Sequence, residues 1–161
     1  MELHTDLFLK YRLETEWYGM PLEEVLRITP LPRIRAVPGA PAIIRGIVEI
    51  RGRIITVLDP ARLLGFSLPR ESDREVAILW NRPFTHLALM VPELPQVCPA
   101  RREQVRNRPG RNRRPHLESW KTEDQEPVHV MRCRSLLAFC EEQMALALRP
   151  AGQSGVGGGN G

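Results

Sequence analysis

Residues 38–59, PGAPAIIRGIVEIRGRIITVLD, constrain the fold more than any other stretch of this chain. Two runs rich in β-branched residues flank the polar turn Glu49-Ile50-Arg51-Gly52-Arg53. One contains Ile47, Val48 and Ile50, the other Ile54, Ile55, Val57 and Leu58. Side chains of this kind suit a pleated, buried surface, so the segment predicts a β-hairpin. Gly52 supplies the positive φ of a tight turn, and Glu49 and Arg51 share one face by the period of two. The hairpin thus presents an arginine at its tip, with nothing catalytic nearby. That pattern points to a binding surface on a β scaffold.

The rest of the chain repeats short apolar runs broken by polar or proline-rich turns. Residues 6–13, DLFLKYRL, alternate Leu7, Leu9, Tyr11 and Leu13 against Asp6, Lys10 and Arg12, with Phe8 the apolar exception on the outer face. This is the pattern of a half-buried strand. Residues 22–28 fit a helix or a strand, because Leu22, Val25 and Leu26 also make a helical stripe. Residues 29–41 carry Pro30, Pro32, Pro38 and Pro41. They read as a loop or edge connection, since proline neither donates to a ladder nor continues a helix. A short helical turn at 41–45 leads into the hairpin.

Beyond the hairpin, residues 61–64 make one helical turn closed by Gly65, and 67–73 form a polar linker. The runs EVAILW (75–80) and THLALMV (85–91) are two strands around a turn at 81–84, with a short strand at 96–99. Residues 117–122 and 127–133 are two more around an acidic turn. At 135–148, Leu136, Leu137, Cys140, Met144 and Leu148 fall on one helical face, and Ser135 caps the start. The sum is eight or nine strands and one long helix, an all-β scaffold with a C-terminal helix. Residues 1–150 are expected to form one domain and the glycine-rich residues 151–161 a flexible tail.

Composition narrows the function. With 42% apolar and 26% charged residues, the chain has the balance of a folded soluble domain. It contains no apolar run of the ~20 residues a membrane helix needs, and residues 1–6 lack the features of a signal peptide. A cytoplasmic protein without membrane insertion is expected. Cys98, Cys133 and Cys140 read as reduced structural thiols, and His4, His86, His116 and His129 lack zinc-type spacing. No metal or cofactor is expected, and Asp59 reads as a turn or cap residue. The net charge of +4 is carried almost wholly by arginine. Residues 101–114, RREQVRNRPGRNRR, are its densest source. They lack the interleaved aromatics of single-strand binders, so a solvated loop is favoured. A basic β-barrel that binds nucleic acid remains the alternative from another class.

The order of elements and the residues themselves resemble the CheW-like coupling domain of bacterial chemosensory systems. The resemblance rests on Tyr18-Gly19, on Val25 to Ile28, on Val37-Pro38-Gly39-Ala40-Pro41, on Ile44-Arg45-Gly46-Ile47-Val48, on Arg51-Gly52 and on Val57-Leu58-Asp59. It covers residues 7–64 well and the remainder by strand order and the closing helix. Thr56 stands where the family usually has proline and Pro60 where it usually has leucine. Residues 86–92 lack the family's glycine and aspartate.

The resemblance implies two intertwined five-stranded SH3-like β-barrel lobes packed around a shared apolar core, with no catalytic site. It implies a non-enzymatic adaptor that bridges the cytoplasmic tip of chemoreceptors and the regulatory domain of a CheA-type histidine kinase, in a chemotaxis or pilus-type array. It also implies protein-binding roles for Val25, Arg27, Arg51 and Gly52. Arg27 stands where an acidic residue is common, which would reverse the partner's charge preference. Arg51 has a second reading as a structural arginine bonded to nearby carbonyls. The altered second half leaves room for a degenerate array component that binds one partner only.

Overall fold

The runs at 76–80 and 87–91 are apolar at every position because both of their faces are covered. The computed structural model describes residues 6–65, 75–102 and 117–147, and ten strands lie among them. The chain begins with β1 (Asp6–Leu13), β2 (Glu16–Pro21), a 3-10 turn (Leu22–Glu24) and β3 (Val25–Pro30). It continues with β4 (Ile44–Ile50), β5 (Arg53–Leu58), α1 (Pro60–Leu64), β6 (Val76–Trp80) and β7 (Leu87–Val91). It closes with β8 (Gln96–Arg102), β9 (Leu117–Thr122), β10 (Pro127–Met131) and α2 (Cys133–Ala147).

Strands from both ends of the chain make the first lobe, a closed barrel in the order β1-β2-β10-β9-β8. The middle of the chain makes the second, a sheet in the order β3-β6-β7-β5-β4. The segment after β3 then turns back over β4 through one bridge, Arg35 to Ile47. The lobes are therefore intertwined: the chain leaves the first barrel after β2 and returns to it at β8. This is the expected pair of five-stranded, SH3-like lobes, with ten strands instead of eight or nine.

The alternation of side chains sorts the interior into three cores. Phe8, Ala100, Trp120, Val128 and Val130 fill the first barrel. Val48, Ile55, Val57, Ala77, Leu79, Ala88 and Met90 fill the second. Between the barrels, Leu9, Tyr11, Leu13, Tyr18 and Met20 meet Ile78, Trp80, Leu87, Leu89 and Val91 in a shared core. Along β6, Ala77 and Leu79 point into the second barrel while Val76, Ile78 and Trp80 point into the shared layer. Period two with both faces buried produces an unbroken apolar run. Each fully buried Ile or Leu contributes about 1.5–3 kcal/mol. The Trp80 indole N–H is buried without a hydrogen-bond partner among the described residues, an unmade bond that costs about 1–3 kcal/mol.

Several expectations are corrected. Phe8 does not face outward: it sits inside the first barrel, and Leu7 is the exposed residue. Barrel closure on one side and the second barrel on the other bury both faces of β1 at Phe8 and Leu9, which a half-buried pattern does not foresee. The ambiguous stretch at 22–28 divides into the 3-10 turn and β3. The expected helical turn at 41–45 is a hydrogen-bonded turn in which Ile44 N–H donates to Pro41 O at 2.9 Å. Helix α2 starts at Cys133, before Ser135. The cap is supplied from far along the chain, because the Glu24 carboxylate accepts from Cys133 N–H at 3.1 Å. Leu136 and Cys140 enter the shared core, with Leu137 packed against it.

Other local expectations hold. The Asp59 carboxylate accepts from Ala61 and Arg62 N–H and caps α1, and Gly65 closes that helix at φ 77°. The three cysteines are free, with Cys133 and Cys140 buried. Burial, with the Glu24 carboxylate adding to it, pushes the Cys133 thiol up to about 12. Burial likewise raises Cys140, so both thiols behave as core groups. The glycine-rich residues 151–161 and residues 103–116 of the arginine-rich region lie outside the described residues.

Gly46 controls how the second barrel closes. It adopts φ 153°, and a Cβ there would meet the Arg35 carbonyl oxygen and the Ile34 side chain well inside contact distance. Only glycine lets the returning segment settle on β4. Gly46→Ala is expected to lower stability by at least about 2 kcal/mol in urea unfolding, with the loss concentrated in protection of the Ile47 amide.

Candidate interaction surface

The β4–β5 hairpin closes with two residues between the paired Ile50 and Arg53. Arg51 has φ 50° and Gly52 φ 75°. Two successive positive φ values make a type I′ turn, whose twist matches that of the flanking strands. Sequence reasoning assigned positive φ to Gly52 alone and placed Arg51 on a strand face with Glu49. In the structure Arg51 is itself a turn residue, exposed at the tip. A left-handed arginine costs about 1–2 kcal/mol relative to its ordinary conformation, and asparagine or glycine would fill the position more readily. Among the described residues no carbonyl bonds its guanidinium, so the structural-arginine reading gains no support.

Strand register shows what else lies at this end. Val25 pairs with Trp80 at the end of β6. Leu87 at the start of β7 pairs with Thr56, the fourth residue of β5, and the first residues of β5 run on from there to the hairpin tip. Val25, the loop at 81–86 and Arg51-Gly52 therefore occupy one end of the second barrel. Three to four inter-strand steps of about 4.8 Å separate Val25 from the tip along the sheet.

A bulge between Val25 and Arg27 turns Leu26 outward, where it is 46% exposed. Arg27 is half-buried and has no carboxylate partner among the described residues. On β5, Ile54 is 69% exposed. Arg53 Nη2 donates to Thr85 Oγ1 at 3.1 Å and ties the hairpin to the β6–β7 loop. The Arg134 guanidinium lies over the Phe84 ring, 5.3 Å from its centroid. Arg82 and Arg134 line a shallow groove with Glu23, Glu24 and Phe84. Sequence reasoning missed Leu26, Ile54, Arg53, Arg82, Phe84 and Arg134. Arg53 was legible as the next residue of the turn, but the others depend on long-range pairing.

At the inner margin of this end three carboxylates gather on one arginine. Arg132 Nε donates to Glu118 at 2.8 Å, and its Nη1 reaches Glu24 at 3.1 Å and Glu23 at 3.5 Å. Glu24 also holds Cys133 N–H, and its carbonyl accepts from Asn81 N–H at 2.7 Å. One residue of the 3-10 turn thus joins α2, the first barrel and the β6–β7 loop. Among the described residues Arg27, Arg51, Arg53, Arg82 and Arg134 have no carboxylate partner, so this end presents a basic rim around exposed Leu26 and Ile54. Among the described residues no three His, Cys, Asp or Glu side chains converge as metal ligands would, and no helix is long and apolar enough to cross a membrane.

Glu24→Ala removes a helix cap and a half-buried ion pair together. It is expected to lower stability by about 1–2 kcal/mol in chemical unfolding. Arg51→Asn leaves stability unchanged or raises it by up to about 1 kcal/mol, because asparagine accepts the left-handed conformation more readily.

Comparison with known proteins agrees with this architecture. No curated protein matches the sequence. Among solved structures, the scaffolding protein TtCheW from Thermoanaerobacter tengcongensis superposes with a TM-score of 0.69 at 22% sequence identity, covering 80% of this chain and 90% of that one. The family model of the CheW-like domain matches residues 7–140, a span that contains both barrels and the first half of α2. The chain belongs to the CheW-like domain family.

Proposed function

We propose that this protein is a non-enzymatic adaptor that couples the cytoplasmic tip of chemoreceptors to the regulatory domain of a CheA-type histidine kinase in a chemosensory array. Val25, Arg27, Arg51 and Gly52 are the contact residues of this reading. The observation that carries it is the exposed arginine held in a left-handed turn conformation at the tip of the β4–β5 hairpin. Backbone strain of this kind persists where a side chain is put to use. Membership of the CheW-like family and the scaffolding role named for TtCheW support the same conclusion.

The physical logic is that of a small interface with a few anchors. Leu26 and Ile54 offer apolar area, and the arginines around them offer planar donor forks that pair with carboxylates. Gly52 keeps the tip narrow, so a partner backbone can approach Arg51 closely. With Arg27 in place of an acid, the partner segment at β3 should be acidic or neutral.

Titration calorimetry with the kinase regulatory domain and, separately, with a receptor cytoplasmic fragment tests this proposal. Wild-type protein should bind both, and Arg51→Asn should weaken at least one by about 1–3 kcal/mol while remaining as stable as wild type. Binding of one partner alone would identify a degenerate array component. Absence of binding to either at high micromolar concentration contradicts the adaptor.

A further inference from the structure

At the end of the second barrel opposite the hairpin tip, the returning segment after β3 stands away from β4 and α1. The space between them is a cleft of about 980 Å³. Its charged lining consists of Arg33, Arg45, Arg62 and Glu75. Arg62 is partly engaged: its Nη1 donates to Ala42 O at 3.2 Å and its Nε lies 3.5 Å from the Asp59 carboxylate. Arg33 and Arg45 have no carboxylate partner among the described residues. Nor does Arg35, which is exposed on the same segment and whose backbone bridges to Ile47.

Arg33 and Arg45 outnumber the one lining carboxylate, Glu75, and Arg35 adds a third guanidinium on the adjoining exposed segment, so the field around this concave surface favours anions. Guanidinium forks match carboxylates in a bidentate manner. The remaining wall is apolar, with Leu31, Ile34, Ile44 and Val37, the last 41% exposed. Among the described residues no aromatic ring lines the cleft to stack a nucleobase. The volume is far larger than one phosphate needs. The wall is also held in place, because the approach of Ile34 and Arg35 to Gly46 fixes the returning segment.

We propose that this cleft is a docking site for an acidic segment of a partner protein, with its carboxylates paired to Arg33, Arg35 and Arg45 and its apolar side chains against Leu31, Ile34 and Val37. The site and the hairpin tip lie at opposite ends of one barrel, so both can be occupied at once. The inference stands apart from the adaptor reading. Loss of every contact at Arg51 leaves it intact.

The probe is a fluorescein-labelled peptide in which glutamate pairs alternate with single leucines, followed by fluorescence anisotropy at low and moderate salt. Binding should appear at low salt and weaken as salt screens the arginines. The double variant Arg33→Glu, Arg45→Glu should bind at least about tenfold less tightly, with Arg101→Gln, exposed on β8 of the first barrel, equal to wild type. If the double variant fails to fold by circular dichroism, the single variants Arg33→Gln and Arg45→Gln should show the same direction of change. No binding at low salt overturns the proposal. So does equal binding by wild type and the charge variants, or tighter binding of a single-stranded oligonucleotide or of pyrophosphate that displaces the peptide.

Discussion

The structure depends on the apolar layer between the two barrels. Each barrel encloses a small core, and neither alone accounts for the residues that are buried. Leu9, Tyr11, Leu13, Tyr18 and Met20 on one side and Ile78, Trp80, Leu87, Leu89 and Val91 on the other are excluded from water largely by one another. α2 seals the same layer with Leu136 and Cys140. Small barrels of about five strands bury little surface individually, so joining them through a third core makes the chain one cooperative unit. The order of the strands enforces this arrangement, because the first barrel is complete only after the chain has made the second.

That layer also determines how the surfaces are presented. Glu24 lies where the chain leaves the first barrel and holds Arg132, the start of α2 and the β6–β7 loop together. The loop in turn meets the hairpin through Thr85 and Arg53. The basic end of the second barrel is thus tied to the interlobe layer by a short chain of hydrogen bonds. At the opposite end, Gly46 brings the returning segment onto β4 and leaves the arginine-lined cleft. An adaptor must keep its contact points at fixed separation, and a body with three cores meets that need better than a loop or a single sheet would.

Much of this was legible in the sequence, and what was missed has definite causes. The hairpin was read from its β-branched runs and Arg51-Gly52, and the α1 turn from Asp59-Pro60 and Gly65. The family followed from motifs held at fixed spacing. Phe8 was misplaced because a half-buried strand was assumed, whereas β1 is covered on both faces at Phe8 and Leu9. The start of α2 was set at Ser135 because local capping rules look to neighbouring residues, and the actual cap comes from Glu24, 109 positions away. The left-handed state of Arg51 escaped notice for a related reason: Gly52 was sufficient to explain a turn. Of the candidate site, Val25, Arg27, Arg51 and Gly52 do share one end of the barrel. The arginines and the exposed Leu26 and Ile54 that complete it are assembled by strand register and a bulge, which no local pattern reveals.

The central claim is that the two barrels form one cooperative body through their shared layer. Native-state hydrogen exchange under mild denaturant tests it directly. The amides of Leu9 and Val130 in the first barrel and of Ile78 and Leu89 in the second should share one opening free energy and one dependence on denaturant. A second barrel that opens well before the first, or two separate unfolding transitions, would contradict the account.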